Sequence, residues 1–154
     1  MWYSPEIEAC DYLPDTLTIF VVGASGDLAK KKTYPSLFTL HRHGYLTKRT
    51  TICGYARSQK TDDEFKSQIK PFLLKTLKKN DSNNDSEKEN NDKEIDAFLN
   101  LCIYRSGSYD SVDDVATVFK ELEHREDELF AGKANRLFYF AIPPSVFVPI
   151  GKAC

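Results

Sequence analysis

The 154 residues contain no CxxC pair, and the four cysteines are scattered at positions 10, 53, 102 and 154. That spacing argues against a zinc site and against a disulfide framework. No apolar run approaches the ~18 residues that would span a bilayer. The longest, Leu17 to Ala24, matches a signal-peptide core in length alone, because the first basic residue is Lys30 and no positive n-region precedes the run. An excess of charge is lacking too: 21 Lys and Arg against 23 Asp and Glu leave a formal net charge of −2. Binding nucleic acid through its phosphates needs a basic face, so neither nucleic acid nor a membrane is expected as a partner. Cysteines used this way suit a reducing, cytosolic location, with Cys53 and Cys102 read as small apolar residues within strands. No internal repeat is visible, and the length suits one domain of roughly 150 residues.

What is present alternates between two patterns. Residues 1–16 show no period and are read as an N-terminal arm. Leu17-Thr18-Ile19-Phe20-Val21-Val22 is then a continuous apolar run, rich in β-branched residues and ending at Gly23, the composition of a central strand in a parallel sheet. A helical pattern with Leu37, Phe38 and Leu40 follows and closes at His41-Arg42-His43-Gly44, with Pro35 forcing either a kink or a helix start near Thr33. Thr50 to Ala56 reads as a second strand. Thr61-Asp62-Asp63-Glu64 is a capping box opening a helix with Phe65, Ile69, Phe72 and Leu73 as its stripe. Positions 80–94 hold no apolar residue and are expected to form a disordered insertion or loop. Order resumes with Ile95, Phe98 and Leu99 on a short helix, Cys102 to Arg105 as a strand, and Val112, Val115, Phe119 and Leu122 at helical spacing. Leu137 to Ile142 reads as another buried strand, ended by Pro143-Pro144. The fold class is therefore α/β, a Rossmann-like parallel sheet flanked by helices over residues 17–154. With its last element barely begun at Cys154, the sheet reads as truncated before completion.

Chemistry concentrates in Gly23-Ala24-Ser25-Gly26-Asp27-Leu28-Ala29-Lys30-Lys31-Lys32, directly after the first strand. A glycine at the strand's end permits a tight turn, and a second three residues on lets the backbone approach a pyrophosphate. The helix dipole and the three lysines favour an anion there. The segment is not a Walker loop, because Leu28 interrupts the required ending; two glycines alone also describe an ordinary strand–helix turn. The second strand ends in Arg57 where NAD-binding domains carry an acid, and a guanidinium there suits the 2′-phosphate of NADP.

Three ordered segments resemble one family. Residues Gly23 to Pro35, the Gly54-Tyr55-Ala56-Arg57-Ser58 strand and Asn135 to Phe147 are similar to the N-terminal signatures of glucose-6-phosphate dehydrogenases. The resemblance implies an NADP-binding Rossmann-like domain, and oxidation of glucose 6-phosphate to the phosphogluconolactone with reduction of NADP. It implies that Gly23, Ala24, Ser25, Gly26, Asp27, Leu28, Ala29 and Lys30 form the coenzyme loop, that Ser25 and Arg57 contact the 2′-phosphate, and that Lys32 lies toward the substrate. Phe147 stands where some members have Tyr, leaving stacking or packing in place of a hydroxyl contact.

The family's Glu-Lys-Pro-Phe-Gly segment and its segment with the catalytic histidine are not found in these residues. His41, His43 and His124 read as surface residues rather than substitutes for that base. The chain is thus expected to bind coenzyme but to be inactive alone, with no catalytic residue of its own and with the substrate and dimerisation domain absent. The full-length enzyme is expected to be a homo-oligomer and this chain not. The alternatives are a catalytically inactive NADP-binding module, and a different Rossmann enzyme acting on nucleotide sugars.

Overall fold

The computed structural model describes residues 16–78, 85–131 and 134–154. Its centre is a four-stranded, all-parallel sheet in the order β3-β2-β1-β4, built from β1 (Leu17–Val22), β2 (Thr50–Ala56), β3 (Cys102–Ser106) and β4 (Asn135–Phe140). The helices are α1 (Tyr34–Arg42), α2 (Asp62–Lys78), α3 (Asp85–Asn100), α4 (Val112–Phe130) and α5 (Phe147–Ala153).

Alternation along the strands divides the core in two. Ile19 and Val21 of β1 and Ile52 of β2 face the layer containing α1, α2 and α3. Phe20, Val22, Cys53 and Tyr55 face the layer containing α4 and α5. Because β1 and β2 are covered on both sides, apolar side chains predominate on both of their faces, with Thr18, Thr50 and Thr51 the buried polar exceptions, and burying each large apolar side chain contributes ~1.5–3 kcal/mol. Cys53 and Cys102 lie buried in β2 and β3 as free thiols.

Two helix starts show how local sequence sets the connections. Thr61 and Glu64 close the expected capping box: the Glu64 N–H donates to the Thr61 hydroxyl at 3.2 Å, and the Thr61 N–H donates to the Glu64 carboxylate at 2.8 Å. Of the two outcomes expected at Pro35, a helix start near Thr33 is the one found: Thr33 is the N-cap of α1 and Pro35 sits in its first turn. A π-helical turn over Ala29–Thr33 precedes it, closed by the Tyr34 N–H donating to the Ala29 carbonyl, and α1 continues directly. Widening the turn just before the proline accommodates a ring that lacks an N–H.

Two expectations need correction. Positions 85–94 of the supposed insertion are helical, forming the first part of α3. Lys93 pairs with Glu89 at 2.9 Å, Arg42 of α1 donates to Glu94 at 2.7 Å, and Ile95, Phe98 and Leu99 bury the far end. A polar helix therefore persists here because an apolar end anchors it. Positions 80–84, and the arm before Thr16, lie outside the described residues. The second correction concerns β4, read as a buried strand. Leu137, Phe138 and Tyr139 are 50%, 41% and 44% exposed, because β4 is an outer strand and, among the described residues, no helix packs as closely on it as α2 and α3 pack on β3.

Candidate functional site

Sheet order places β1 between β2 and β4, so the chain leaves β1 toward one side and returns at β4 on the other. The crevice beyond the carboxyl ends of such strands is where open α/β sheets bind ligands. Here it is a cleft of ≈220 Å³ lined by Gly23, Ser25, Gly26, Arg57, Ser58, Tyr109, Ala141, Ile142 and Pro143.

The turn after β1 forms its floor. Gly23 adopts φ +83°, and a Cβ there would overlap the Ala141 carbonyl oxygen and come within 2.6 Å of Ile142 Cγ2. Only glycine meets both demands. The Gly23 N–H donates to the Tyr55 carbonyl at 2.8 Å, and the Gly26 N–H donates back to the Gly23 carbonyl at 3.0 Å. Helix begins at residue 27, so its first-turn N–H groups lack intrahelical partners next to this cleft. At Gly54, a Cβ would lie 2.7 Å from the Tyr34 hydroxyl and 2.8 Å from the Ala24 Cβ, which is why β2 can run so close beneath the turn.

The expected loop residues divide by role. Gly23, Ser25 and Gly26 line the cleft, while Ala24 and Ala29 are fully buried supports. Leu28 projects outward and is 52% exposed. Asp27 pairs with Lys31 at 2.9 Å and with Lys30 at 3.6 Å. The hydrogen bond from Lys31, aided by both positive charges, holds the Asp27 carboxyl below its ordinary value. Lys32 lies elsewhere, in a concavity between α1 and α2 that it shares with Lys31, Ser36 and Lys75. Phe147 is not among the cleft's lining residues; its ring sits 5.6 Å from that of Phe140.

Arg57 lines the same cleft as the turn. The Ser25 and Ser58 hydroxyls approach to 3.3 Å, and the Arg57 guanidinium carbon lies 5.4 Å from the centre of the Tyr109 ring. Burial pushes the Tyr109 hydroxyl pKa up, and the Arg57 charge pulls it back. Sequence reasoning missed Ser58 and Tyr109 as site residues. The only signal for Tyr109 was its place in the loop after β3, on the same edge of the sheet. Among the described residues, no carboxylate lines the cleft. The histidines stand apart from it: His41 packs on Phe98, His43 on Tyr45, and His124 pairs with Glu128 at 3.3 Å.

No cluster of three or more metal-ligating side chains occurs among the described residues. Among them, no helix is long and apolar enough to cross a membrane.

A family model described as the NAD binding domain of glucose-6-phosphate dehydrogenase matches residues 20–154. A chloroplastic glucose-6-phosphate 1-dehydrogenase of Nicotiana tabacum is 43% identical over 133 residues, covering 86% of this chain and 21% of the relative. The cytoplasmic isoform of Solanum tuberosum is 42% identical over 142 residues, covering 89% and 25%. A solved structure of glucose-6-phosphate dehydrogenase in complex with its substrate glucose 6-phosphate superposes with a TM-score of 0.77 at 38% identity, over 90% of this chain and 26% of that one. The chain thus spans about a quarter of the length of these relatives. With the parallel β3-β2-β1-β4 sheet and the glycine turn at its switch point, these matches show that the chain belongs to the glucose-6-phosphate dehydrogenase family and carries its NAD-binding domain.

Proposed function

We propose that the chain is the coenzyme-binding part of an NADP-dependent glucose-6-phosphate dehydrogenase, which oxidises glucose 6-phosphate to 6-phosphogluconolactone. One observation carries the choice of coenzyme: Arg57, Ser25 and Ser58 line the same cleft, the two hydroxyls 3.3 Å apart, and among the described residues no carboxylate lines it. A 2′-phosphate offers negative charge and several acceptor oxygens to that trio, whereas a ribose 2′-hydroxyl would call for an acid.

The turn fits the rest of the coenzyme as well. Gly23 and Gly26 bring bare backbone to the cleft, and the first turn of the helix beyond them favours a pyrophosphate. Bound NADP would supply the hydride acceptor. The chain's own residues would anchor and orient it, Ser25 and Arg57 at the 2′-phosphate and Gly23 to Lys30 along the pyrophosphate. Lys32, on the face between α1 and α2, would lie toward the sugar phosphate. A base for the sugar hydroxyl is not supplied by His41, His43 or His124, none of which lines the cleft, so these residues alone would bind coenzyme without turnover. The free thiols of Cys53, Cys102 and Cys154 support a reducing, cytoplasmic location, and the full-length enzyme would be a homo-oligomer.

The test is a calorimetric titration with NADP⁺ and NAD⁺. Tighter binding of NADP⁺ is expected, and Arg57→Ala should weaken NADP⁺ by roughly ten- to a hundredfold through loss of a charge-assisted contact. Equal losses for both coenzymes would sink the reading.

A further inference from the structure

Four consecutive residues from the end of β2 onward, Ala56 to Gln59, are each held by a residue of β3 or of the loop that follows it. The Ala56 carbonyl accepts from the Gly107 N–H at 3.0 Å. Arg57 lies over the Tyr109 ring at 5.4 Å. The Ser58 carbonyl accepts from the Tyr104 hydroxyl at 2.6 Å, and the Gln59 side-chain carbonyl accepts from the Ser106 hydroxyl at 2.8 Å.

The two tyrosines are themselves braced. The Tyr104 ring is buried and stacks on Phe65, with centroids 4.8 Å apart. Tyr109 follows Ser108, whose carbonyl accepts from the Tyr55 hydroxyl at 2.7 Å, and its ring lies 6.1 Å from that of Tyr55. The Tyr104 hydroxyl also neighbours Ser25, which offsets part of the upward push that burial gives its pKa.

An arginine at an exposed strand end samples many rotamers, and freezing it on binding opposes affinity. Stacking on an aromatic face restricts that freedom beforehand. Anchoring the Ser58 carbonyl does the same for the backbone that carries the second hydroxyl of the Ser25–Ser58 pair.

We propose that Tyr109 and Tyr104 are positioning residues for coenzyme selection. Tyr109 pre-places the Arg57 guanidinium, Tyr104 pre-places Ser58 against Ser25, and discrimination for NADP over NAD is set by β3 and its loop as well as by Arg57 itself. This rests on the coenzyme reading above. NAD has no 2′-phosphate to engage the braced groups, so loosening the brace weakens NADP selectively.

The experiment titrates the whole protein with NADP⁺ and NAD⁺ in wild type, Arg57→Ala, Tyr109→Ala, Tyr109→Leu, Tyr109→Phe and Tyr104→Phe. Tyr109→Ala should raise the NADP⁺ Kd by about threefold to tenfold and leave NAD⁺ within about twofold. Tyr109→Leu, which keeps apolar bulk without a ring face, should match Tyr109→Ala and serves if that variant does not fold. Tyr109→Phe should bind as wild type does, because the ring face and not the hydroxyl is used. Tyr104→Phe should weaken NADP⁺ alone, by about threefold. Equal losses for both coenzymes, or a Tyr109→Phe loss as large as that of Tyr109→Ala, would overturn the inference. If Arg57→Ala abolishes the preference while both Tyr109→Ala and Tyr109→Leu keep it, the inference fails alone. If wild type has no preference for NADP⁺, or Arg57→Ala retains it, the coenzyme reading fails and takes the inference with it.

Discussion

Thr18 and Glu126 are 108 positions apart and meet inside the protein, the Thr18 hydroxyl donating to Glu126 Oε1 at 2.7 Å. Arg136 grips both oxygens of the same carboxylate, at 3.0 and 2.8 Å, and lies 5.3 Å over the Phe119 ring. One buried carboxylate thereby joins β1, α4 and β4. Glu126→Leu leaves the Thr18 hydroxyl and the Arg136 guanidinium without their shared partner, and should lower stability by about 3 kcal/mol in urea unfolding. Adding Arg136→Leu should recover part of the loss. An unchanged urea midpoint for Glu126→Leu would count against this account.

Gly23→Ala tests the turn. The added methyl meets the Ala141 carbonyl and must sit at φ +83°, so a loss of about 1–3 kcal/mol is expected along with weaker coenzyme binding. Thermal denaturation with and without NADP⁺ measures both. A variant with wild-type stability and affinity would show that the strand-end spacing is looser than described.

Acid should loosen the edge of the sheet at Arg105. This residue of β3 bonds to Glu121 on α4 and, at 3.0 Å, to Asp62 on α2. The hydrogen bond from Arg105 holds the Glu121 carboxyl below the ordinary glutamate value of 4.5. With the folded pKa depressed, the pair's contribution is complete above 4.5 and fades as pH falls through the folded value. The stability difference between wild type and Glu121→Gln in urea midpoints should therefore hold steady above the ordinary value of 4.5 and narrow as pH falls below it. A difference that stays constant or widens would refute the assignment.

Thiol chemistry should be confined by burial. The Cys53 thiol is pushed up to about 12 and that of Cys102 is also raised, both by desolvation. A thiol reagent at pH 8 should leave these two unmodified in the native protein and reach them only on unfolding, whereas Cys154 is exposed. Peptide mapping after labelling would decide it; native labelling of Cys53 would contradict the described β2.

The patterns legible in the sequence were those that a parallel sheet imposes directly. Leu17 to Val22 had to be apolar on both faces because both are covered, with Thr18 the one exception and its hydroxyl satisfied by Glu126, and Thr61 and Glu64 had to be spaced by three to cap each other. The 85–94 helix was hidden because composition registers burial, while this stretch is held from its C-terminal end by Ile95 and by the Arg42–Glu94 pair. Tyr109 was hidden for a different reason: it acts through its ring on a residue 52 positions earlier, and no periodicity reports such a partnership. The resemblance set Lys32 apart from the coenzyme loop, and Lys32 lies with Lys31 in the concavity between α1 and α2.

The wide turn at Ala29–Thr33 has a further effect. Taking an extra residue into the turn spreads consecutive side chains over less arc, so Ala29 and Thr33 both face inward while Lys30, Lys31 and Lys32 share the outer side. Three positive charges then crowd the end of the helix that is already positive, against the single carboxylate of Asp27. That arrangement is local frustration, a conflict kept where a site is needed. Any anion that settles there relieves it, so the domain's melting temperature should depend on its ionic company more than a net charge of −2 would suggest.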